Sequence, residues 1–191
     1  MEFRLLYRGP LVSNGSVVEK QKLRRLFHPQ LRTLWQQPPL YEQLFLNDQS
    51  RGSLLEKQGV FTFAPLVSSK LGLVAELDVL FLRRQRPGNL LHHGGDIDNR
   101  MKTLLDSLRV PRAKQTEIPA DDSPGADEEP FYCLLEDDAL VTRLTIATDQ
   151  LLEPGDPSSS DALVIVRVTV KETGASLFWS FVGPEGKESR R

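Results

Sequence analysis

Leu73-Val74-Ala75-Glu76-Leu77-Asp78-Val79-Leu80-Phe81, followed after a loop by Asp98-Asn99-Arg100-Met101-Lys102-Thr103-Leu104-Leu105-Asp106-Ser107-Leu108-Arg109, carries the two periodicities that decide the fold. In the first stretch Leu73, Ala75, Leu77, Val79 and Phe81 share one face at period two, with Glu76 and Asp78 on the other, which predicts a half-buried strand over residues 72–82. In the second, Met101, Leu104, Leu105 and Leu108 recur at helical spacing, while Asp98, Lys102 and Asp106 form a separate ionic stripe. A helix over Asp98–Arg109, stopped by Pro111, therefore packs its apolar stripe on the sheet that the strand belongs to. The class implied is α+β, a small mixed sheet with packed helices.

Working outward, residues 2–7, 60–67, 139–147 and 162–170 read as further strands, the last with Val164, Val166, Val168 and Val170 on one face, and residues 176–182 as one more. A helical pattern starts at Ser16, with Ser16 or Asn14 as cap. Leu23, Leu26, Phe27, Leu31 and Leu34 form its apolar face, Pro29 interrupts it, and Pro38-Pro39 ends it. Tyr41 to Leu46 reads as a further helical turn, and residues 47–59 and 153–161 as loops. Residues 112–130 combine Pro119, Pro124, Gly125 and Pro130 with a run of acids from Glu117 to Glu129, the composition of a mobile or disordered insertion. The organisation expected is one domain over 1–191, with 1–59 an N-terminal strand and helical extension, 112–130 an acidic loop insertion and 184–191 a loose tail.

At 191 residues the chain can bury a core without covalent staples. No apolar run reaches the roughly 20 residues of a membrane span. The opening Met1-Glu2-Phe3-Arg4 lacks a signal-like apolar segment, and a cytoplasmic location is expected. A lone Cys133 excludes an internal disulfide and a Cys-rich zinc site. Trp35 and Trp179 read as core or interface residues. The net charge of −2 hides an asymmetry: residues 1–115 hold 18 Lys/Arg against 10 Asp/Glu, and residues 116–191 hold 6 against 16. A basic N-terminal part suits phosphates, although a solvated surface explains such charge equally well.

The chemistry concentrates at Gly94-Gly95-Asp96-Ile97-Asp98-Asn99 and Glu136-Asp137-Asp138. One aspartate at a helix start is an ordinary cap favoured by the helix dipole. Two, at i and i+2 in an extended entry, point to one side and repel unless protonated or bridged by a cation. Magnesium is the usual bridge, since it takes hard oxygen ligands. The triplet at 136–138 precedes a strand-like run and on its own reads also as a solvated turn.

Asp96-Ile97-Asp98-Asn99, Lys102, Leu105-Asp106-Ser107-Leu108 and Asp137-Asp138-Ala139 together resemble the RusA family of Holliday junction resolvases, with its D-x-D-N-x-x-K-x-x-x-D-x-L helix start and a D-D-x-Q-V motif before a strand. The similarity spans residues 72 to 147. It implies a RusA-like fold, a homodimer, and magnesium-dependent (or manganese-dependent) endonuclease cleavage of branched DNA in recombination and repair. It further implies Asp96, Asp98 and Asp138 as metal-binding catalytic residues, Asp137 as the neighbouring acid, and Lys102 as the lysine near the scissile phosphate. Two positions depart from the pattern. Asp96 and Asp138 are 42 positions apart, farther than in the family, with the acidic insertion between them, and Leu140 replaces the family's Gln.

A metal held by these aspartates would activate water and neutralise charge developing on the phosphate, with Lys102 adding positive charge. Lys102 has an ordinary alternative, an i,i+4 ion pair with Asp98 or Asp106. Arg83, Arg84, Arg86 and Arg100 flank the site as candidate phosphate contacts that position DNA without reading it. His92 and His93 are further candidate ligands or bases. Two other function classes stay open: a non-catalytic nucleic-acid-binding or interaction protein of the same fold, and a magnesium enzyme acting on a small phosphorylated substrate, for which no phosphate loop is present.

Overall fold

The computed structural model describes residues 1–37, 40, 54–85, 97–112, 117–156 and 159–173. The helical turn expected at Tyr41–Leu46, the strand expected at 176–182, Trp179 and the tail at 184–191 lie outside them. So do Arg86, His92, His93, Gly94, Gly95 and Asp96.

The chain is α+β, with two helices and two small mixed sheets among the described residues rather than the one sheet expected. In chain order the elements are β1 (Glu2–Pro10), α1 (Val17–Trp35), β2 (Glu56–Gln58), β3 (Phe61–Val67), β4 (Leu73–Arg83), α2 (Ile97–Leu108), β5 (Phe131–Leu135), β6 (Val141–Gln150) and β7 (Asp161–Glu172). The larger sheet runs β1-β7-β4-β6, antiparallel except for the parallel β4/β6 pair. The smaller runs β2-β3-β5, with β3 and β5 parallel.

The period-two reading of β4 and β7 holds. Leu73, Ala75, Leu77, Val79 and Phe81 are buried, as are Val164, Val166, Val168 and Val170, and α2 sets Met101, Leu104 and Leu108 into the same core. Leu105 is only partly buried, at the border between that core and the ionic stripe.

Helix α1 begins at Ser16 with a full capping box. The Ser16 hydroxyl accepts the Glu19 N–H, and the Glu19 carboxylate accepts the Ser16 N–H. The interruption expected at Pro29 does not occur, and the helix continues to Trp35. Leu23, Phe27, Leu31 and Trp35, spaced by four, are all buried, so packing on both sides of Pro29 outweighs its missing N–H. Leu26, assigned to that face by spacing, is one residue off it and half exposed.

Three other expectations change. The loop read over 47–59 contains the short strand β2. β5 was not expected as a strand: all five of its residues are buried, so it has no alternation to read. The insertion, read as mobile, is tied down over its described part, 117–130. Arg25 of α1 pairs with both Asp122 and Glu128, and His28 bonds the Asp127 carbonyl. No helix among the described residues is long and apolar enough to cross a membrane.

Candidate functional site

Among the described residues β6 is the edge strand of its sheet, and no described helix covers its inner face completely. Its Leu144 and Ile146 pair in register with Leu77 and Val79 of β4, which are buried, yet remain more than a third exposed. The space above them, flanked by α2, is a cleft of about 510 Å³.

Each wall is placed by local structure. α2 contributes Asp98, Lys102, Asp106 and Arg109, so the ionic stripe predicted for this helix is the cleft wall. Its position is set partly by a close approach of the loop before α1: the Gly15 N–H donates to Thr103 Oγ1 at 2.8 Å. Opposite stands the turn after β5. Glu136 anchors that turn, accepting from the Ser68 hydroxyl at 2.6 Å and the Ser69 N–H at 2.9 Å. Asp137 caps the single 3-10 turn Asp138–Leu140, its Oδ1 accepting the Ala139 N–H at 2.9 Å. That bond holds the Asp137 carboxyl below its ordinary value, against partial burial and with help from Arg112 and Arg109. Asp138, next in sequence, is thereby turned into the cleft.

Asp98, Lys102 and Asp138 therefore share one cleft, although 40 residues separate the two aspartates. Asp98 accepts the N–H of Asn99 at 2.8 Å and forms no ion pair among the described residues, and the same holds for ion pairs of Lys102. The i,i+4 pair that would have given Lys102 an ordinary role is not formed. Asp138 is engaged: its Oδ1 is 2.7 Å from Arg112 Nη2 and its Oδ2 is 3.9 Å from Arg109 Nε.

Four residues of the site carried no readable signal in the sequence. Arg109 is buried and bonded to Asp106 and Glu117, each at 2.8 Å. These acids outweigh the burial that opposes the charge and raise Arg109 above its ordinary value. Burial alone would raise Asp106 and Glu117, but their cationic partners hold both below the usual carboxylate range. Lys20 of α1 reaches Asp106 at 2.8 Å. Arg112 lies just past α2, and Glu117 comes from the insertion and accepts the Arg112 N–H at 2.8 Å. Only the tertiary fold sets these groups against Asp138.

Of the four arginines read as phosphate contacts, Arg86 lies outside the described residues. Arg84 is 3.6 Å from Glu153, and burial lowers the Arg83 guanidinium below its ordinary value. Arg100 is buried and donates to the Leu11 carbonyl, so its guanidinium faces inward and away from the cleft. Cys133 is buried, and burial pushes its thiol up.

Hard carboxylate oxygens of Asp98 and Asp138 in one cleft suit a magnesium ion in kind. Among the described residues no three acids or histidines lie close enough together to hold a metal, and the expected third donor, Asp96, is outside them. Comparison with family models, with curated proteins and with solved structures finds no match for this chain.

Proposed function

We propose that this chain is a magnesium-dependent, structure-selective endodeoxyribonuclease similar to the RusA resolvases, acting as a homodimer on branched DNA such as four-way junctions. One observation supports the reading above the others: Asp98, Lys102 and Asp138, distant in sequence, line a single cleft. Asp96, Asp98 and Asp138 would hold the metal, with Asp137 beside them, and the bound ion would supply Lewis-acid activation of water and charge neutralisation at the phosphate. Lys102, exposed and without an ion pair among the described residues, would bring a cation to the scissile phosphate. Leu144 and Ile146 give the cleft an apolar floor on one side.

The test is nicking of a synthetic four-way junction with magnesium or manganese. Asp98→Asn and Asp138→Asn are each expected to cut the rate by about 100-fold or more, the scale of losing metal-based charge stabilisation. No cleavage by the unaltered chain with either ion, or undiminished cleavage by Asp98→Asn, would overturn the assignment. A second reading, a non-catalytic nucleic-acid-binding protein of the same fold, is favoured by the Arg112–Asp138 bond, which engages one oxygen of a carboxylate the metal would use. Junction binding without cleavage is its signature.

A further inference from the structure

The larger sheet has two outer strands, and the fold finishes them differently. On β1 the Gln30 side chain of α1 stands in for a strand: its Oε1 accepts the Leu6 N–H at 2.9 Å, and its Nε2 donates to the Leu6 carbonyl at 2.8 Å. That closes the middle of this edge against further pairing. Among the described residues no side chain from another element bonds the β6 backbone, and β6 is paired with β4 alone. Every residue from Thr142 to Asp149 is exposed, Leu144 and Ile146 included. An open edge with apolar side chains on one face is a template for another strand.

The identity of that strand is argued from register. The Leu151 N–H donates to the Arg83 carbonyl of β4, so the odd-numbered residues of β6 turn their backbone groups toward β4 and the even-numbered ones toward the open edge. An antiparallel copy of β6, set with Ile146 opposite Ile146, pairs even-numbered residues with even-numbered ones. The same register sets Arg143 opposite Asp149, once on each side of the axis. Arg143 remains 52% exposed beside Glu76, and Asp149 forms no ion pair among the described residues. The strand is therefore complementary in charge to itself, as a twofold contact requires. We propose that β6 is the interface of a twofold dimer, in which two copies of this chain join their larger sheets edge to edge. The inference rests on the homodimer of the reading above and names the surface that forms it. It also lays the two clefts on one face of a continuous sheet, their apolar floors side by side.

The experiment uses the full chain. Sedimentation velocity at about 100 µM, well above the roughly micromolar Kd that a one-strand interface supports, is expected to find a dimer. Ile146→Lys brings two like charges together at the axis and is expected to weaken the dimer about 100-fold or more. Asp149→Lys sets a like charge against Arg143 and is expected to weaken it about 10-fold. Leu6→Lys, on the closed edge, is the control and changes nothing. Circular dichroism verifies that each variant is folded. Ile146→Cys, opposite itself, is expected to give a disulfide-linked dimer on mild oxidation, whereas Leu144→Cys, opposite Thr148, is not. Cys133 is buried and does not compete. A full chain that stays monomeric, a dimer indifferent to both lysines, or no cross-link through Ile146→Cys overturns the proposal. A monomer whose β6 amides resist hydrogen exchange assigns the edge to another segment of this chain, such as residues 176–182, and overturns it too. Junction cleavage is read separately. A dimer through β6 that cleaves nothing leaves this inference standing, and a monomer that cleaves overturns this inference alone.

Discussion

His28 illustrates how much one side chain can be asked to do. Its Nδ1 accepts the N–H of Tyr132 at 2.9 Å, and its Nε2 bonds the Asp127 carbonyl at 2.9 Å, which requires a neutral ring carrying its proton on Nε2. The ring also stacks against Tyr132 and meets Phe131 at a tilt. Burial pushes His28 below its ordinary value, with Arg32 adding to that and Glu128 opposing it. His28→Ala leaves the buried Tyr132 N–H without an acceptor, a loss of about 1–3 kcal/mol, expected to lower Tm by roughly 5–10 °C. The sign of the pH effect follows from the direction of the shift. The unfolded chain takes up a proton near pH 6.5, and the folded chain resists it to lower pH. The stabilisation is complete above about pH 6.5 and is lost as pH falls through the lowered folded value. Melting curves at pH 7.5 and 5.5 check this: the drop on acidification should be smaller in His28→Gln than in the unaltered chain. Equal drops would show that His28 does not titrate on unfolding.

At the scale of elements, the position of α2 decides whether Asp98 and Lys102 reach the cleft. The loop before α1 meets α2 through Gly15, where an added Cβ would stand 2.6 Å from Thr103 Cγ2. Gly15→Ala is therefore expected to destabilise by about 1–3 kcal/mol through overpacking. It should also displace the helix that carries the candidate site, visible as weaker manganese binding in a protein that is still folded. Ser16 beside it closes the capping box of α1, so one of the two adjacent residues fixes the start of α1 and the other meets the middle of α2. Helices α1 and α2, β4 and β7 were legible because each exposes one face and buries the other. β5 was not, because Phe131-Tyr132-Cys133-Leu134-Leu135 is buried on both sides and a short apolar run has no period. Pro29 misled for a related reason: a local rule about backbone donors was outweighed by the buried residues on either side of it.

At the scale of the whole molecule, the acidic insertion couples distant parts. It holds Arg25 through Asp122 and Glu128, offers the Asp127 carbonyl to His28, and lends Glu117 to Arg109 at the cleft. Its acids are spent on the basic face of α1, which is where the charge asymmetry between the two parts of the sequence is partly neutralised. Replacing residues 119–128 by a short Gly-Ser linker, with Glu117 kept, is expected to lower Tm by on the order of 10 °C. A loop that carried no contacts would leave Tm nearly unchanged after the same replacement, since shortening a free loop costs little. Thermal unfolding of the two proteins under one buffer decides between these outcomes.

By itself the amino-acid sequence determined the α+β class, the strands β4 and β7, the helix α2 and its division into an apolar and an ionic stripe. These follow from periodicity, which is local and survives without knowledge of neighbours. It also singled out Asp98, Lys102 and Asp138, on a helix and a turn, and joined them into one site only through the resemblance. Only the tertiary structure decided that they line one cleft beside the strand β6, and that Arg112 pairs with Asp138. The physical reason is that side-chain partnership depends on contacts between segments far apart in the chain. Arg109, Arg112 and Glu117 look like ordinary surface charges in sequence. Folding buries the first, anchors the second by its backbone, and makes the third the link between them.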